Sequence, residues 1–190
     1  GRAAGGHHLP GDRDPERLRI VGDDFGVDAH WTRTDVSEKA DVLAMVAAAE
    51  ERWGGVDVLV NNAWGGGGFG RIEWKDDAEI ERGLQVGFWG TYWAMQACFP
   101  ILRARGGGSI VNLGSLNGVN AHLYTVDYNL AKEAIRSFSR SAAREWARHG
   151  IRVNVICPAA VTPAYEMFRE LAPENAAELL AMNPMGRMGD

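Results

Sequence analysis

Cysteine is scarce in these 190 residues: there are two, Cys98 in a helical pattern and Cys157 at the end of an apolar strand pattern. Two thiols so placed exclude a disulfide framework, and a reducing cytoplasm is the expected compartment. Long apolar runs are missing too, none approaching the ~20 residues of a membrane span, so no membrane partner is expected. Basic residues are not in excess. With 20 Lys and Arg against 25 Asp and Glu the net charge is −5, which excludes the concentrated basic patch of a nucleic-acid surface. No charged-then-apolar leader of the secretory type opens the chain. A metal set is also lacking: His7 and His8 are adjacent, rarely converge on one ion, and have no third ligand nearby, so no metal is expected.

What is present suits one domain spanning 1–190, with 46% hydrophobic residues to build a core. Residues 1–11 show neither strand alternation nor helical period and read as irregular. The informative stretch runs from Ser109 to Lys132, passing from an apolar strand, Ser109 to Leu113, through a Gly/Asn turn into a helix. Tyr128 and Lys132 are four apart, hence on one helical face and about 5–6 Å apart at Cβ. An ammonium beside a phenol favours its ionised form, which suits a tyrosine to acid/base work. Ser115, thirteen positions before Tyr128, ends the strand where a hydroxyl points into the crevice beyond a sheet's carboxyl edge. It would hydrogen-bond a substrate oxygen.

Ser115 followed by Tyr128-x-x-x-Lys132 resembles the core of the short-chain dehydrogenase/reductase family. Other segments carry the resemblance further: Asp35-Val36, Asn61-Asn62-Ala63, and Pro158-Ala159-Ala160-Val161-Thr162. The resemblance implies a Rossmann-like, doubly wound parallel α/β sheet. It implies a hydride transfer between NAD, with NADP possible, and a secondary alcohol or ketone. Ser115, Tyr128 and Lys132 would be catalytic. Asp35 and Val36 would meet the adenine ring, and Asn61, Asn62 and Ala63 would brace strand ends beside the cofactor. Tyr128 and Lys132 would hold the nicotinamide ribose, and Pro158, Val161 and Thr162 the carboxamide. Asp12, before the helix start Asp14-Pro15, resembles the acidic residue that accepts ribose hydroxyls and repels a 2′-phosphate, favouring NAD. Asp12 reads equally as a solvated loop residue.

Along the chain, Ala29 to Thr34 reads as a strand, and Ser37 as the cap of a helix with Val42, Val46, Ala49 and Trp53 on one face. Val56 to Val60 reads as a buried parallel strand. Asp76 or Asp77 caps a long helix reaching Arg103. A second long helix buries Ala131, Ile135, Phe138 and Ala142, presents Arg136, Arg140, Arg144 and Arg148 as a solvated or subunit-facing row, and stops at Gly150. The two long helices are the expected homo-oligomer surface. Ile151 to Ile156 is a strand, Tyr165 to Met182 a helix, and 164–190 the substrate-lid region. Gly65 to Gly68 lacks the Lys-Ser/Thr of a phosphate-binding loop and reads as a flexible loop.

Three departures from the family pattern stand out. Trp64 replaces the glycine after Asn-Asn-Ala, where it would crowd the dinucleotide or wall the substrate pocket. Gly87 replaces an asparagine that holds a water beside the lysine. The glycine-rich strand-turn-helix for the pyrophosphate, with the first strand, is not found, and the family's final strand is missing as well. The alternative is therefore a non-catalytic binding or scaffold protein that keeps the fold, with cofactor binding impaired. A sugar epimerase or dehydratase sharing the Tyr/Lys pair fits Ser115 and the short lid less well. Trp64, Trp89, Trp93, His122, Leu123 and Tyr165 are candidates for an aromatic pocket wall.

Overall fold

The computed structural model describes residues 32–65, 67–171 and 173–189, and Asp12, His7, His8 and the expected helix start at Asp14 lie outside them. The chain forms two compact units, 1–156 and 157–190. The first is built on three parallel strands, β1 (Val58–Asn61), β2 (Gly108–Leu113) and β3 (Ile151–Ile156), in the order β1-β2-β3. Val58 pairs with Ser109 and Gly108 with Ile151, so all three carboxyl ends lie along one edge. Parallel neighbours need a crossover helix between them. Here those crossovers carry the residues of interest.

Helix α1 (Lys39–Trp53) precedes β1, and Gly54 closes it in the left-handed conformation. Between β1 and β2 run α2 (Asp77–Leu84), a π-helical turn (Gln85–Trp89) and α3 (Gly90–Ala104), in place of the single uninterrupted helix expected. Asp76 is the cap: its side chain accepts from Ala78 N, and Glu79 reciprocates at the Asp76 backbone, a capping box. After β2 come the short α4 (Leu116–Val119) and α5 (Val126–Trp146), the latter followed by a 3₁₀ turn that Gly150 ends at φ 70°.

Leu59, Ile110, Ile151 and Val153 meet Val42, Val46, Met95, Cys98, Leu102 and Ala142 in one core. The stripe expected on α5 is there, with Ala131, Ile135 and Ala142 buried and Phe138 packed alongside. Alternate residues turn away from it, and Val60 and Ile156 are exposed.

Two polar devices tie these layers. Asn112 is fully buried and donates to Ser139 Oγ on α5 at 2.7 Å, while its oxygen accepts from Asn61 Nδ2 at 2.8 Å. Buried amides cost free energy unless paired in this way. Cys98 lies in the core, where burial, then Glu50, pushes its thiol up to about 12 from 9.0. The thiol form is thus favoured in the fold, so stability present below about pH 9 declines as the pH climbs towards 12. A thiol reagent near neutral pH should leave Cys98 unmodified until the protein unfolds, and rapid native labelling of Cys98 would contradict this burial.

Several expected boundaries shift. Thr32 to Thr34 enter no ladder among the described residues. The Thr34 hydroxyl instead donates to Thr32 O at 3.4 Å, the kind of local bond that competes with a ladder. Ser37 does not cap α1. Its N–H and hydroxyl donate to Asp35 Oδ1 at 3.0 and 2.6 Å, so the Asp35 carboxylate organises the turn and the helix begins at Lys39.

In the second unit the single helix expected is two, α6 (Pro163–Leu171) and α7 (Pro173–Ala181), because proline has no N–H to continue a helix and suits the first turn of the next.

Candidate active site

The site grows from the carboxyl end of β2 and the start of α5. Between α4 and α5 the chain turns through Ala121 and Tyr124, both with left-handed φ of 52° and 66°, conformations that cost non-glycine residues free energy. His122 O steadies this turn by accepting from Asn129 Nδ2 at 2.9 Å and Thr125 Oγ1 at 3.2 Å. Helix α5 then presents Tyr128 and, one turn on, Lys132.

Lys132 is buried, 4% exposed, and its ammonium donates to Leu113 O, the last residue of β2, at 2.9 Å. The same ammonium stands 5.5 Å from the ring centroids of both Tyr128 and Trp64. Those two rings meet edge to face, centroids 4.8 Å apart at 85°. Phenol, ammonium and indole thus form one cluster at the sheet's carboxyl edge. Ser115 sits two residues beyond the carbonyl that Lys132 holds. It caps α4, its oxygen accepting from Asn117 N at 3.1 Å. A hydroxyl so used retains its proton to donate.

The departures at 64 and 87 prove to be one feature. A Cβ on Gly87 would stand 2.8 Å from Trp64 Cζ3 and 2.8 Å from Ala131 Cβ, closer than carbon atoms approach. The indole therefore occupies the space of any side chain at 87. The π turn holds Gly87 there, with Thr91 Oγ1 donating to Gly87 O at 3.2 Å and Gln85 Nε2 donating to Ser37 O at 2.8 Å.

The other expected site residues scatter. Asn61 braces β1 against β2 through Asn112, and Asn62 lies exposed just past the strand end with Ala63 half-buried. Val36 packs against the core. In the second unit, Thr162 caps α6, its hydroxyl oxygen accepting from Tyr165 N at 3.1 Å. Val161 N donates to Gly189 O at 2.9 Å, and Pro158 is exposed. Trp89 and Trp93 stack on each other with centroids 6.0 Å apart, and Trp89 also meets Phe88 and Tyr92. They belong to an aromatic cluster on the long helix.

Sequence reasoning missed the buried pair Lys75 and Asp127, 3.2 Å apart, which no local pattern joins. It also treated Trp64 and Gly87 separately, although a small-to-large change beside a large-to-small one is the signature of a volume exchange.

For a dinucleotide the fit is partial. Lys132, an ammonium with three donors at the carboxyl edge, and the exposed chain at Asn62 suit ribose hydroxyls. No glycine-rich turn opening a helix stands among the described residues to receive the pyrophosphate.

A parallel sheet with a Tyr/Lys pair on the crossover helix at its carboxyl edge is the architecture of one class of nicotinamide-linked fold. The family model described as short chain dehydrogenase matches residues 3–175, and the chain belongs to that family. It is 35% identical over 159 residues to a 12alpha-hydroxysteroid dehydrogenase of Clostridium sp., covering 84% of this chain and 61% of that protein's length. It is 36% identical over 183 residues to an inactive 2-(S)-hydroxypropyl-CoM dehydrogenase of Xanthobacter autotrophicus, covering 94% of this chain and 79% of the relative. Among solved structures, NAD+-bound xylitol dehydrogenase superposes with a TM-score of 0.83 at 26% identity, over 96% of this chain and 76% of that one. The chain thus spans about three-fifths of the length of the first of these relatives. The likeness carries the Rossmann-like fold expected from the sequence.

Proposed function

We propose that the protein is an NAD(P)-dependent oxidoreductase that interconverts a secondary alcohol and a ketone. The observation that carries this reading is the cluster at the end of β2: Tyr128 and the buried Lys132 on one turn, with Lys132 anchored to Leu113 O. The cofactor, when bound, accepts or supplies a hydride at the substrate's carbinol carbon. Tyr128 takes the hydroxyl proton during oxidation and returns it to the carbonyl oxygen during reduction. Lys132 supplies positive charge beside the phenol and donors to the ribose. Ser115 donates to the substrate oxygen and fixes its direction towards Tyr128. Asp12, Asp35, Val36, Asn61, Asn62, Ala63, Pro158, Val161 and Thr162 belong to the proposed dinucleotide site by resemblance.

NAD is the favoured cofactor on the strength of Asp12. The cytoplasm is the proposed compartment, consistent with two free cysteines. The proposed subunit surface is the pair of long helices, where Phe88 and Tyr92 pack on Phe138 and Trp89 is 41% exposed.

The test is absorbance at the reduced-nicotinamide band with NAD+ or NADP+ and a panel holding a hydroxysteroid, a polyol and simple 2-alkanols. A band growing with one alcohol supports the proposal. No band with any alcohol and either cofactor overturns it in favour of a second reading, a non-catalytic protein that keeps the fold. That second reading draws on Gly87, which has neither a polar side chain nor room for one, and on a relative whose own name records inactivity.

A further inference from the structure

We infer that Trp64 is a positioning residue for Tyr128 and Lys132, and that Gly87 in its π turn is the space kept open for the indole. The inference deepens the oxidoreductase reading and rests on it for the activity measurements alone. Three observations carry it. The indole meets the Tyr128 ring edge to face at 4.8 Å, within the range where aromatic pairs gain beyond their buried area. Its face lies 5.5 Å from the Lys132 ammonium, inside cation–π reach. Finally, the wall behind it is closed, because Gly87 and Ala131 leave no room for a further side chain.

Together these fix the phenol's plane and the ammonium's position from one side, while Leu113 O fixes the ammonium from another. Ala131 immediately precedes Lys132, so the wide turn, the indole and the helix carrying the pair seat on one another. A leucine at 64 would fill much of the volume and supply neither a quadrupole for the ammonium nor an edge contact for the phenol. A phenylalanine would keep both.

The protein has only three lysines, Lys39, Lys75 and Lys132, so their side-chain methylene signals can be assigned by Lys39→Arg and Lys132→Arg variants. Exposed Lys39 serves as the reference. In the full chain the Lys132 ε-methylene signal should lie upfield of it, shifted by the two rings. Trp64→Leu should move that signal downfield, and Trp64→Phe should restore most of the shift. With a turned-over alcohol, Trp64→Leu should lower kcat by about 10- to 100-fold, the scale of a reacting group displaced by about 1 Å. KM should stay nearly constant, and Trp64→Phe should recover most of kcat.

A wild-type Lys132 signal without ring shift, or one indifferent to Trp64→Leu, overturns the inference. So does a Trp64→Leu enzyme with unchanged kcat, or leucine and phenylalanine variants that behave alike. If the wild-type protein turns over no alcohol, the oxidoreductase reading fails, and the lysine spectrum alone decides the positioning role.

Discussion

Tyr128→Phe should lower kcat by about 10²- to 10⁴-fold, the usual contribution of a positioned acid/base group, or about 3–5 kcal/mol of barrier. The substitution removes one oxygen and leaves the ring. Its edge-to-face contact with Trp64 and its neighbour Lys132 therefore stay in place, and the thermal midpoint should hardly change. That separation makes the variant decisive. Lost turnover together with lost folding would speak only of packing, whereas lost turnover at saturating cofactor in a protein with wild-type midpoint locates the proton transfer at the phenol. Turnover at the wild-type rate would remove Tyr128 from the chemistry.

The largest effect on stability is expected one residue earlier. Asp127 is 1% exposed and its cation is Lys75, whose side chain is 3% exposed, at 3.2 Å. Among the described residues neither Asp127 oxygen accepts a hydrogen bond, so the contact is an ion pair whose angles fall outside hydrogen-bond geometry. Lys75 also donates to Gly68 O and lies 3.5 Å from Glu79 at the surface. Gly67, at φ 88°, rests against the carboxylate so closely that a Cβ there would stand 2.0 Å from Asp127 Oδ2. Gly67, against Asp127, and Gly68, through Lys75, thus adjoin the first turn of the helix that carries Tyr128.

Lys75→Met strands the carboxylate without its cation. Breaking a buried pair in this way costs about 3–5 kcal/mol, a large share of the 5–15 kcal/mol typical of a domain. Urea unfolding measures it. Glu79→Gln, which alters only the exposed partner, should cost under about 1 kcal/mol. The double variant Lys75→Met with Asp127→Leu should recover part of the loss, since replacing both members by apolar groups can be near neutral. A Lys75→Met midpoint within about 1 kcal/mol of wild type would show that the pair contributes little.

How much of this was legible follows from range. Strands β2 and β3, the helix start at Asp76 or Asp77, the stripe 131–135–142 and the stop at Gly150 rest on residues within a turn or two of each other, and local pattern sufficed. The Tyr128–Lys132 pair is likewise a four-residue fact. The turn at Asp35 was read with the wrong capping residue because an aspartate two positions earlier accepts from the N–H and hydroxyl of Ser37 itself. Lys75 with Asp127, Asn112 with Ser139, and Trp64 with Gly87 are separated by dozens of residues in sequence, and only the assembled crossovers bring them together. Of the candidate site, the Tyr128–Lys132 pair was therefore visible, and the packing of Trp64 against Tyr128 and Gly87 was not.

The π turn at Gln85–Trp89 has a bearing on how the long helix can change. Such a turn spends one more residue than the ordinary winding before the chain returns to the same azimuth. Everything downstream, including the row Thr91, Met95, Cys98 and Leu102 that faces the sheet, keeps its heading only while that surplus residue is retained. Losing it would swing the row by roughly 100° and point its apolar members at solvent. Substitutions within the turn at positions other than Gly87, which has no room for a side chain, are thus open to drift, whereas a change in its length is closed to it.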